Sequence, residues 1–292
     1  MSEKPIVAAT DGSGESLRAV EWAAREAVLR KAPLRIVSAA ALLPRMVGSH
    51  GMSQYDTVAD LMRQHRDQAL AAAAVQATRE APGLLIDTDE LTGEPAQAVI
   101  EAGSGAQLLV LGSRGVGAFT ALLLGSVSRY AATHASCPVV VVRDETRAEY
   151  RQVGVGLGDL DHCAEALTFA FEEAALRRAT VVAIHAWHVP QPEVSRAGST
   201  EPLSGDYPWT GLAADQLRAL LESWQAKYPG VPVSQEVVHG HPGRALVGLS
   251  ARADLTVLGR HARHPGLLGP GTVTHAVLNH AHGPVVTVPS SC

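Results

Sequence analysis

The sequence predicts an α/β protein whose parallel sheet carries helices on both faces, and it predicts that this unit occurs twice. Short, nearly continuous runs of Val, Ile and Leu alternate with segments of helical periodicity, a pattern typical of parallel strands buried on both sides. The second half of the chain repeats the order of the first at an almost constant offset. A glycine-containing stretch follows the fourth apolar run of the first half, where ligands of parallel sheets bind.

Length and composition indicate a globular protein of two domains. The chain has 292 residues, of which 46% are apolar and 18% charged, enough for two separate cores. The net charge of −5 and the lack of a long basic run argue against nucleic-acid binding. No apolar run approaches the ~20 residues that span a bilayer, so we expect no membrane insertion. Three irregularly spaced cysteines predict neither a disulfide framework nor a zinc site, and a cytoplasmic location is the simplest expectation.

The internal repeat is visible without gaps over most of each half. At an offset of 147 residues, three pairs of segments coincide: Leu34–Ala39 with Val181–Ala186, Gly93–Ala98 with Gly240–Ala245, and Leu108–Gly112 with Leu255–Gly259. One residue is then lost, and Cys137–Val142 coincides with Gly283–Val288 at an offset of 146. We therefore predict a tandem duplication with domains at residues 1–147 and 148–292.

Each half contains the same series of predicted elements. In the first half we predict strands Pro5–Thr10, Leu34–Ala39, Leu84–Leu91, Leu108–Leu111 and Cys137–Val142, helices Ser16–Arg30, Val58–Glu80 and Val127–His134, a helix start near Pro95 and a long loop Leu43–Asp56. In the second half we predict strands Gln152–Leu157, Thr180–Ala186, Pro232–Val238, Leu255–Gly259 and Gly283–Val288, helices Cys163–Arg178 and Leu212–Lys227, a helix start near Pro242 and a long loop Val189–Gly211.

Three segments of the first half meet at the predicted strand ends and suggest a nucleotide site. Asp11 follows the first strand and could accept hydrogen bonds from a ribose or an adenine amine, although Asp-Gly-Ser is also a common turn and helix cap. The backbone around Ala39, at the end of the second strand, could pair with a base edge. The stretch from Gly112 through Gly115 to Gly125 and Ser126 could approach phosphates closely, with Ser126 as N-cap of the next helix.

The glycine spacing resembles that of a known family. Gly-x2-Gly-x9-Gly-(Ser/Thr), an Asp after the first strand and a closing Cys-Pro-Val-Val-Val-Val strand are similar to the universal stress protein family, and both halves share the likeness, as in tandem actinobacterial members. The resemblance implies two tandem Rossmann-like domains, each a five-stranded mainly parallel sheet with helices on both faces. It implies binding of ATP or another adenine nucleotide with Mg²⁺, and pairing of the two domains through their last strands.

The resemblance also implies roles for individual residues. Asp11 and Ala39 would meet the adenosine, and Gly112, Gly115, Gly125 and Ser126 would hold the phosphates. The adjoining residues complete the predicted site: Gly12, Ser113, Arg114 and Val127.

The second copy of the motif is altered. Gly158 stands where Asp11 stands in the first half, and Ala262 stands in place of Gly115. If that position needs a positive φ, the Cβ of Ala262 costs ~1 kcal/mol or more. We predict at most a weaker second site, formed by Ala186, Gly259, Arg260, Gly271 and Thr272. The alternative, that Arg260, His261 and Arg263 supply compensating phosphate contacts, stays open.

Other potentially reactive residues give no competing site. Pairs of histidines recur in the second half, but no Cys or acidic residue stands at ligand spacing, so we predict exposed polar histidines and no metal site. Cys137 precedes Pro138 and an apolar strand, which predicts a buried, inert thiol. The P-loop pattern is absent, since no lysine precedes Ser126.

Three classes of function remain. The leading one is an ATP-binding regulatory protein of the stress response, whose first half holds the nucleotide and alters the surface offered to an unidentified protein partner. The second is an adenine-nucleotide hydrolase or nucleotidyl-transfer enzyme. The sequence shows nothing that orients a water, so we expect at most a slow ATPase. The third is a nucleotide-free scaffold. The chain already contains a pseudo-dimer, with Val139–Val142 and Val285–Val288 as the expected paired strands, and a homodimer is possible.

Overall fold

The structure is a computed structural model that describes residues 4–40, 52–115, 124–143, 149–158, 160–187, 208–260 and 271–290. The first half contains β1 (Ile6–Ala9), α1 (Gly14–Arg30), β2 (Leu34–Ala40), α2 (Met52–Glu80), β3 (Ile86–Thr92), α3 (Pro95–Ala102), β4 (Leu108–Gly112), α4 (Ser126–His134) and β5 (Val139–Val142). The second half contains β6 (Gln152–Leu157), α5 (Ala164–Arg177), β7 (Thr180–Trp187), α6 (Pro208–Lys227), β8 (Val233–His239), α7 (Pro242–Ser250), β9 (Leu255–Arg260), α8 (Thr272–His280) and β10 (Val285–Pro289).

The strands of both halves form one continuous sheet. Its order is β3-β2-β1-β4-β5-β10-β9-β6-β7-β8, so each half contributes five strands that are parallel to one another. The α/β prediction is therefore confirmed. The antiparallel pair β5/β10, which we call the seam, sets Val140 opposite Val286. Pairing of the halves through their last strands is also confirmed.

Helices cover both faces of the sheet, as the apolar strands require. The core on one face includes Ala23 of α1, Leu70 of α2, Phe171 of α5 and Leu217 of α6. The core on the other face includes Val99 of α3, Ala131 of α4, Leu246 of α7 and Leu278 of α8. All four residues of β5 are buried, which agrees with a central strand read as an uninterrupted valine run.

Several element boundaries differ from the sequence prediction. Helix α1 begins at Gly14 because Ser13 caps it. Helix α2 begins at Met52, inside the predicted loop, because neither Gly nor Pro interrupts the chain between Met52 and Val58. Helix α6 begins at Pro208, where the missing proline N–H is not needed. The remainders of the two predicted long loops, residues 43–51 and 189–207, lie outside the described residues.

A buried ionic cluster joins α1 to α5 across the seam. Arg30 pairs with Glu173, and Arg177 pairs with Glu26. Each arginine also pairs with the glutamate four residues earlier on its own helix. The Glu26 and Glu173 side chains are only 2% and 0% exposed. The four residues are equivalent at the offset of 147, so the cluster follows the pseudo-twofold relation of the halves.

Candidate nucleotide site

Asp11 is fixed by the turn that joins β1 to α1. Its Oδ1 accepts hydrogen bonds from the Ser13 backbone N–H at 3.0 Å and the Ser13 hydroxyl at 2.6 Å. The Ser13 Oγ accepts in turn from the backbone N–H of Ser16 at 3.2 Å and caps α1. Gly12 has φ +82 in this turn. The alternative of a turn and cap is thus confirmed, and the same bonds orient the carboxylate.

The glycine loop passes directly beside that carboxylate. A Cβ on Gly115 would lie 2.3 Å from Oδ2 of Asp11, which no side chain can tolerate without displacing it. The condition of a positive φ at this position is not met, since Gly115 is not among the residues with positive φ. The requirement for glycine is one of space. Two of the three predicted segments are therefore in contact.

Gly112 is required by packing between β4 and α1. A Cβ there would lie 2.8 Å from the carbonyl carbon and oxygen of Glu15 and 2.9 Å from the Ser16 nitrogen. These are backbone atoms of the first turn of α1, which cannot move aside easily. Gly112 therefore allows β4 to approach the helix that begins at the Asp11 turn.

The two ends of the glycine loop are bonded to each other and to the sheet. Ser113 is buried, its N–H donates to the Val142 carbonyl at 3.0 Å, and its carbonyl accepts from the Gly125 N–H at 2.7 Å. Ser128 donates its hydroxyl to the Gly112 carbonyl at 2.6 Å. The loop residues between these anchors, 116–123, lie outside the described residues.

Helix α4 opens beside this loop. Gly125, with φ −68 and ψ 155, is the N-cap and makes no side-chain capping bond. The prediction that Ser126 is the N-cap is therefore wrong, because Ser126 is the first helical residue and is exposed. The N–H groups of Ser126 and Val127 lie in the first turn, which lacks intrahelical acceptors. The positive end of the helix dipole adds to an environment that favours anions.

The strand order brings the third segment alongside the other two. Strand β1 lies between β2 and β4, so the ends of all three strands share one edge. Ala39, near the end of β2, is half-buried and stands opposite Leu91 of β3. The sheet order reverses between β1 and β4, which is the switch point where α/β sheets bind ligands.

Two further residues border the site. Arg114 pairs with Glu15 of α1 at 3.3 Å and keeps a positive charge at the loop, with its side chain 39% exposed. His65 of α2 places Nε2 3.2 Å from the Asp11 carbonyl oxygen. His65 was not predicted from the sequence. Its position on a mostly exposed helix face gives no signal, and only the packing of α2 against Gly12 shows it.

The corresponding edge of the second half differs in chemistry. Gly158 is exposed and supplies no carboxylate. Ala186 and Gly259 lie on β7 and β9, and Gly271 and Thr272 are the N-cap and first residue of α8. His261, Ala262 and Arg263 lie outside the described residues.

Arg260, at the end of β9, also contacts the first half of the chain. Its Nη2 donates to the carbonyl of Ala135 in the first half. That contact across the seam argues against the alternative in which Arg260 serves as a phosphate ligand of its own half.

Cys137 lies close to that arginine at the seam. Burial raises the pKa of the Cys137 thiol to about 11, and the nearby Arg260 charge only partly opposes this effect. Burial likewise lowers the pKa of Arg260. The prediction that Cys137 is buried is confirmed, and a neutral thiol at pH 7 explains why it would be inert.

Within the described part of the chain, no group of three or more His, Cys, Asp or Glu side chains could hold a metal ion. His185 contacts the Leu157 carbonyl, and His241 contacts the Gly243 N–H, so both histidines meet backbone groups.

Among the described residues, every helix is too short or too polar to span a membrane.

Comparison with known proteins agrees with this architecture. The sequence profile of the universal stress protein family matches residues 3–143 and 149–289. A universal stress protein of Mycobacterium tuberculosis is 33% identical over 297 residues, covering 98% of this chain and 97% of the relative. One of Mycolicibacterium smegmatis is 32% identical, with the same coverage of both chains.

A solved structure shows the same fold over the whole length. The crystal structure of a universal stress protein from Archaeoglobus fulgidus covers 98% of both chains with a TM-score of 0.73 and 19% identity. The two profile matches fall on either side of the repeat boundary inferred from the sequence. This chain therefore belongs to the universal stress protein family and carries the family domain twice.

Proposed function

We propose that the first half binds an adenine nucleotide, ATP with Mg²⁺, at the edge formed by β1, β2 and β4. The observation that carries the proposal is the contact between the glycine loop and Asp11, where only a glycine at position 115 leaves room for the carboxylate. That contact lies at the switch point of the sheet, beside the N-terminus of α4. A nucleotide needs a hydrogen-bond acceptor for its ribose, and a close backbone approach and a helix N-terminus for its phosphates.

The proposed contacts follow the chemistry of each segment. The Asp11 carboxylate accepts from ribose hydroxyls, with Gly12 beside it. The backbone near Ala39 faces the base. The phosphates lie against Gly112, Ser113, Arg114 and Gly115 on one side and Gly125, Ser126 and Val127 on the other.

Mg²⁺ would be held mainly by phosphate oxygens and water. The described residues offer no independent cluster of three metal-binding side chains, so the ion would arrive with the nucleotide. The carboxylate of Asp11 is an oxygen ligand of the kind that Mg²⁺ prefers.

We propose a regulatory role rather than efficient catalysis. Phosphoryl transfer needs an oriented water or hydroxyl besides charge neutralisation. Asp11 is bonded to Ser13 and His65 lies against the Asp11 carbonyl, so we assign neither side chain to a water at the phosphates. ATP occupancy would instead change the surface shown to a protein partner in the cytoplasm. The altered motif of the second half, with Gly158 in place of Asp11, predicts that a second nucleotide binds about 50-fold more weakly or not at all.

Purified protein tests the proposal directly. Nucleotide released on denaturation is identified by chromatography, and ATP binding is titrated calorimetrically with Mg²⁺ present. We expect about one tight ATP per chain, and Asp11→Ala should weaken it about 10- to 100-fold. Gly248→Ala is a suitable control, because Gly248 lies on α7 far along the chain from this edge and a Cβ added there would meet no atom within 4 Å.

Each alternative has its own outcome in the same experiment. Rapid release of AMP and pyrophosphate would favour the enzyme, and absence of any nucleotide binding would favour the scaffold. Two equally tight ATP molecules per chain would contradict the difference between the halves.

A further inference from the structure

The second half reaches across the seam to the helix that the proposed phosphate site uses. The Arg260 guanidinium donates to the carbonyl of Ala135, the C-cap residue of α4. The Thr287 hydroxyl of β10 donates to the carbonyl of Ala132, in the last turn of α4, at 3.1 Å. Both donors come from the second half, and both acceptors belong to the C-terminal end of α4.

A matching contact runs the other way. Arg143, which follows β5 in the first half, donates to the carbonyl of Leu278 in the last turn of α8 at 2.7 Å. Each half thus places an arginine at the C-terminal end of a helix of the other half: Arg260 at α4 and Arg143 at α8. The two contacts have the same chemistry but act on different helices.

Such contacts are favourable for electrostatic and hydrogen-bonding reasons. The last carbonyls of a helix lack intrahelical donors, and its C-terminus carries a partial negative charge. The Cys137 thiol beside Arg260 is neutral at pH 7 because burial raises its pKa to about 11. The Arg260 guanidinium therefore lies beside a neutral thiol, and its Nη2 donates to the negative end of α4.

Helix α4 depends on contacts of this kind. It has nine residues, far below the ~12–15 at which isolated helices become even marginally stable. Its N-cap, Gly125, supplies no side-chain bond. The Ser128 hydroxyl anchors the first turn to Gly112, and the opposite end is held by Thr287 and Arg260.

We propose that Arg260, assisted by Thr287, is a positioning residue through which the second half holds the phosphate-binding helix of the first half in place. The proposal rests on the function proposed above for the first half. At the offset of 147, Arg260 is the counterpart of Ser113 in the glycine loop. The same repeat position therefore lies in the glycine loop as Ser113 and, as Arg260, supports helix α4 of the opposite half.

Hydrogen exchange without nucleotide tests the positioning alone. The amides of Arg129 and Ala135 donate to Gly125 and Ala131 within α4, and their exchange reports how often the helix opens. Arg260→Ala should speed it by about tenfold, as expected for loss of a charged hydrogen bond. Arg260→Lys should restore part of the protection. Arg143→Ala, the matched control, should leave α4 near the wild-type rate and speed exchange in α8.

Calorimetric titration with MgATP links positioning to binding. Arg260→Ala should weaken ATP by about five- to tenfold, whereas Arg143→Ala should change it by less than about twofold. If Arg260→Ala does not fold, Thr287→Val decides, because it removes a donor to α4 while keeping the shape of a fully buried side chain. We expect Thr287→Val to speed α4 exchange by about threefold.

The two proposals fail in different ways. If the wild-type protein binds no ATP, the proposed function is wrong, while the exchange measurement still supports or overturns the positioning role. Equal effects of Arg260→Ala and Arg143→Ala on α4, or no effect of Arg260→Ala and Thr287→Val, would overturn the positioning role.

Discussion

Replacing Gly115 with alanine separates the two explanations for a glycine in the loop. The added Cβ would lie 2.3 Å from Oδ2 and 3.4 Å from Cγ of Asp11. Gly115 has no positive φ, so the alanine costs nothing in backbone conformation. Any effect of Gly115→Ala must come from its collision with the Asp11 carboxylate.

The cost of that collision follows from the bonds that hold Asp11. The carboxylate can move only by disturbing its hydrogen bonds from Ser13, at 3.0 and 2.6 Å. Hydrogen bonds to charged groups contribute about 1.5–3 kcal/mol each. Partial loss of the pair should destabilise the protein by about 1–3 kcal/mol. Because Asp11 is also the proposed ribose acceptor, ATP affinity should fall at least about tenfold.

A double-mutant cycle in urea unfolding tests the cause without any ligand. In the Asp11→Ala background the colliding carboxylate is gone, so Gly115→Ala should then cost less than about 0.5 kcal/mol. Gly248→Ala controls for glycine replacement in general. Gly248 is exposed within α7, so alanine there should stabilise by about 0.5–1 kcal/mol and leave ATP binding unchanged.

Additive costs in the cycle would refute this reasoning. If Gly115→Ala destabilises the protein equally with and without the Asp11 carboxylate, the glycine requirement has another source. Unchanged stability and ATP affinity in the single variant would likewise show that the loop does not lie against Asp11 as described.

Three further predictions concern the interior and the second half. Glu173→Gln leaves Glu26 as the one carboxylate of the buried cluster for both Arg30 and Arg177 and should cost about 3–5 kcal/mol in urea unfolding. Asp215→Asn, in an exposed pair, should cost less than about 0.5 kcal/mol. Burial raises the pKa of Cys137 from 9.0 to about 11. The buried thiol therefore contributes its full share of the folding free energy below pH 9, and this stabilisation is lost as the pH rises to 11. The unfolding free energy of wild type should fall about 2–3 kcal/mol more than that of Cys137→Ala over this range, and equal falls would contradict the assignment. Ala262→Gly alone should not create a second tight ATP site, as calorimetric stoichiometry would show.

Much of the fold could be predicted from the sequence because it depends on local patterns. Apolar runs such as Val139–Val142 mark buried parallel strands, and their repetition at a fixed offset predicted the duplication. The resemblance to the family, rather than the offset, predicted that the two halves pair through their last strands. Helix starts were less accurate. Helix α2 begins at Met52, before the predicted start at Val58, because the Gly, Pro and Ser residues upstream of Met52 extended the predicted loop too far.

The sequence indicated which residues form the candidate site, but not the physical reason why each residue type is needed there. The glycine spacing pointed to Gly112 and Gly115, yet their roles depend on distances to Glu15 and Asp11 that only the folded chain creates. Asp-Gly-Ser was recognised as a common turn and helix cap, and in the structure Ser13 caps α1 while its N–H orients the Asp11 carboxylate. The contact from His65 on α2 is entirely tertiary.

The cluster at the seam was missed although the sequence contains a signal for it. Glu26 and Arg30 recur as Glu173 and Arg177 at the same offset as the strands. Charged residues repeated among the alanines of a helix that faces the core are unusual, because burying them without partners is costly. In a duplicated chain whose halves pair symmetrically, the arginine of each half finds a partner in the glutamate of the other half.

Both helices beside the proposed nucleotide site end on the second half. Helix α1 begins at the Asp11 turn and carries Arg30, which pairs with Glu173, at its other end. Helix α4 begins at the phosphate loop and ends against Arg260. The second half can therefore stabilise the geometry of the first site even if its own motif holds no nucleotide. In this chain the contacts across the seam are therefore separable from nucleotide binding by the second half.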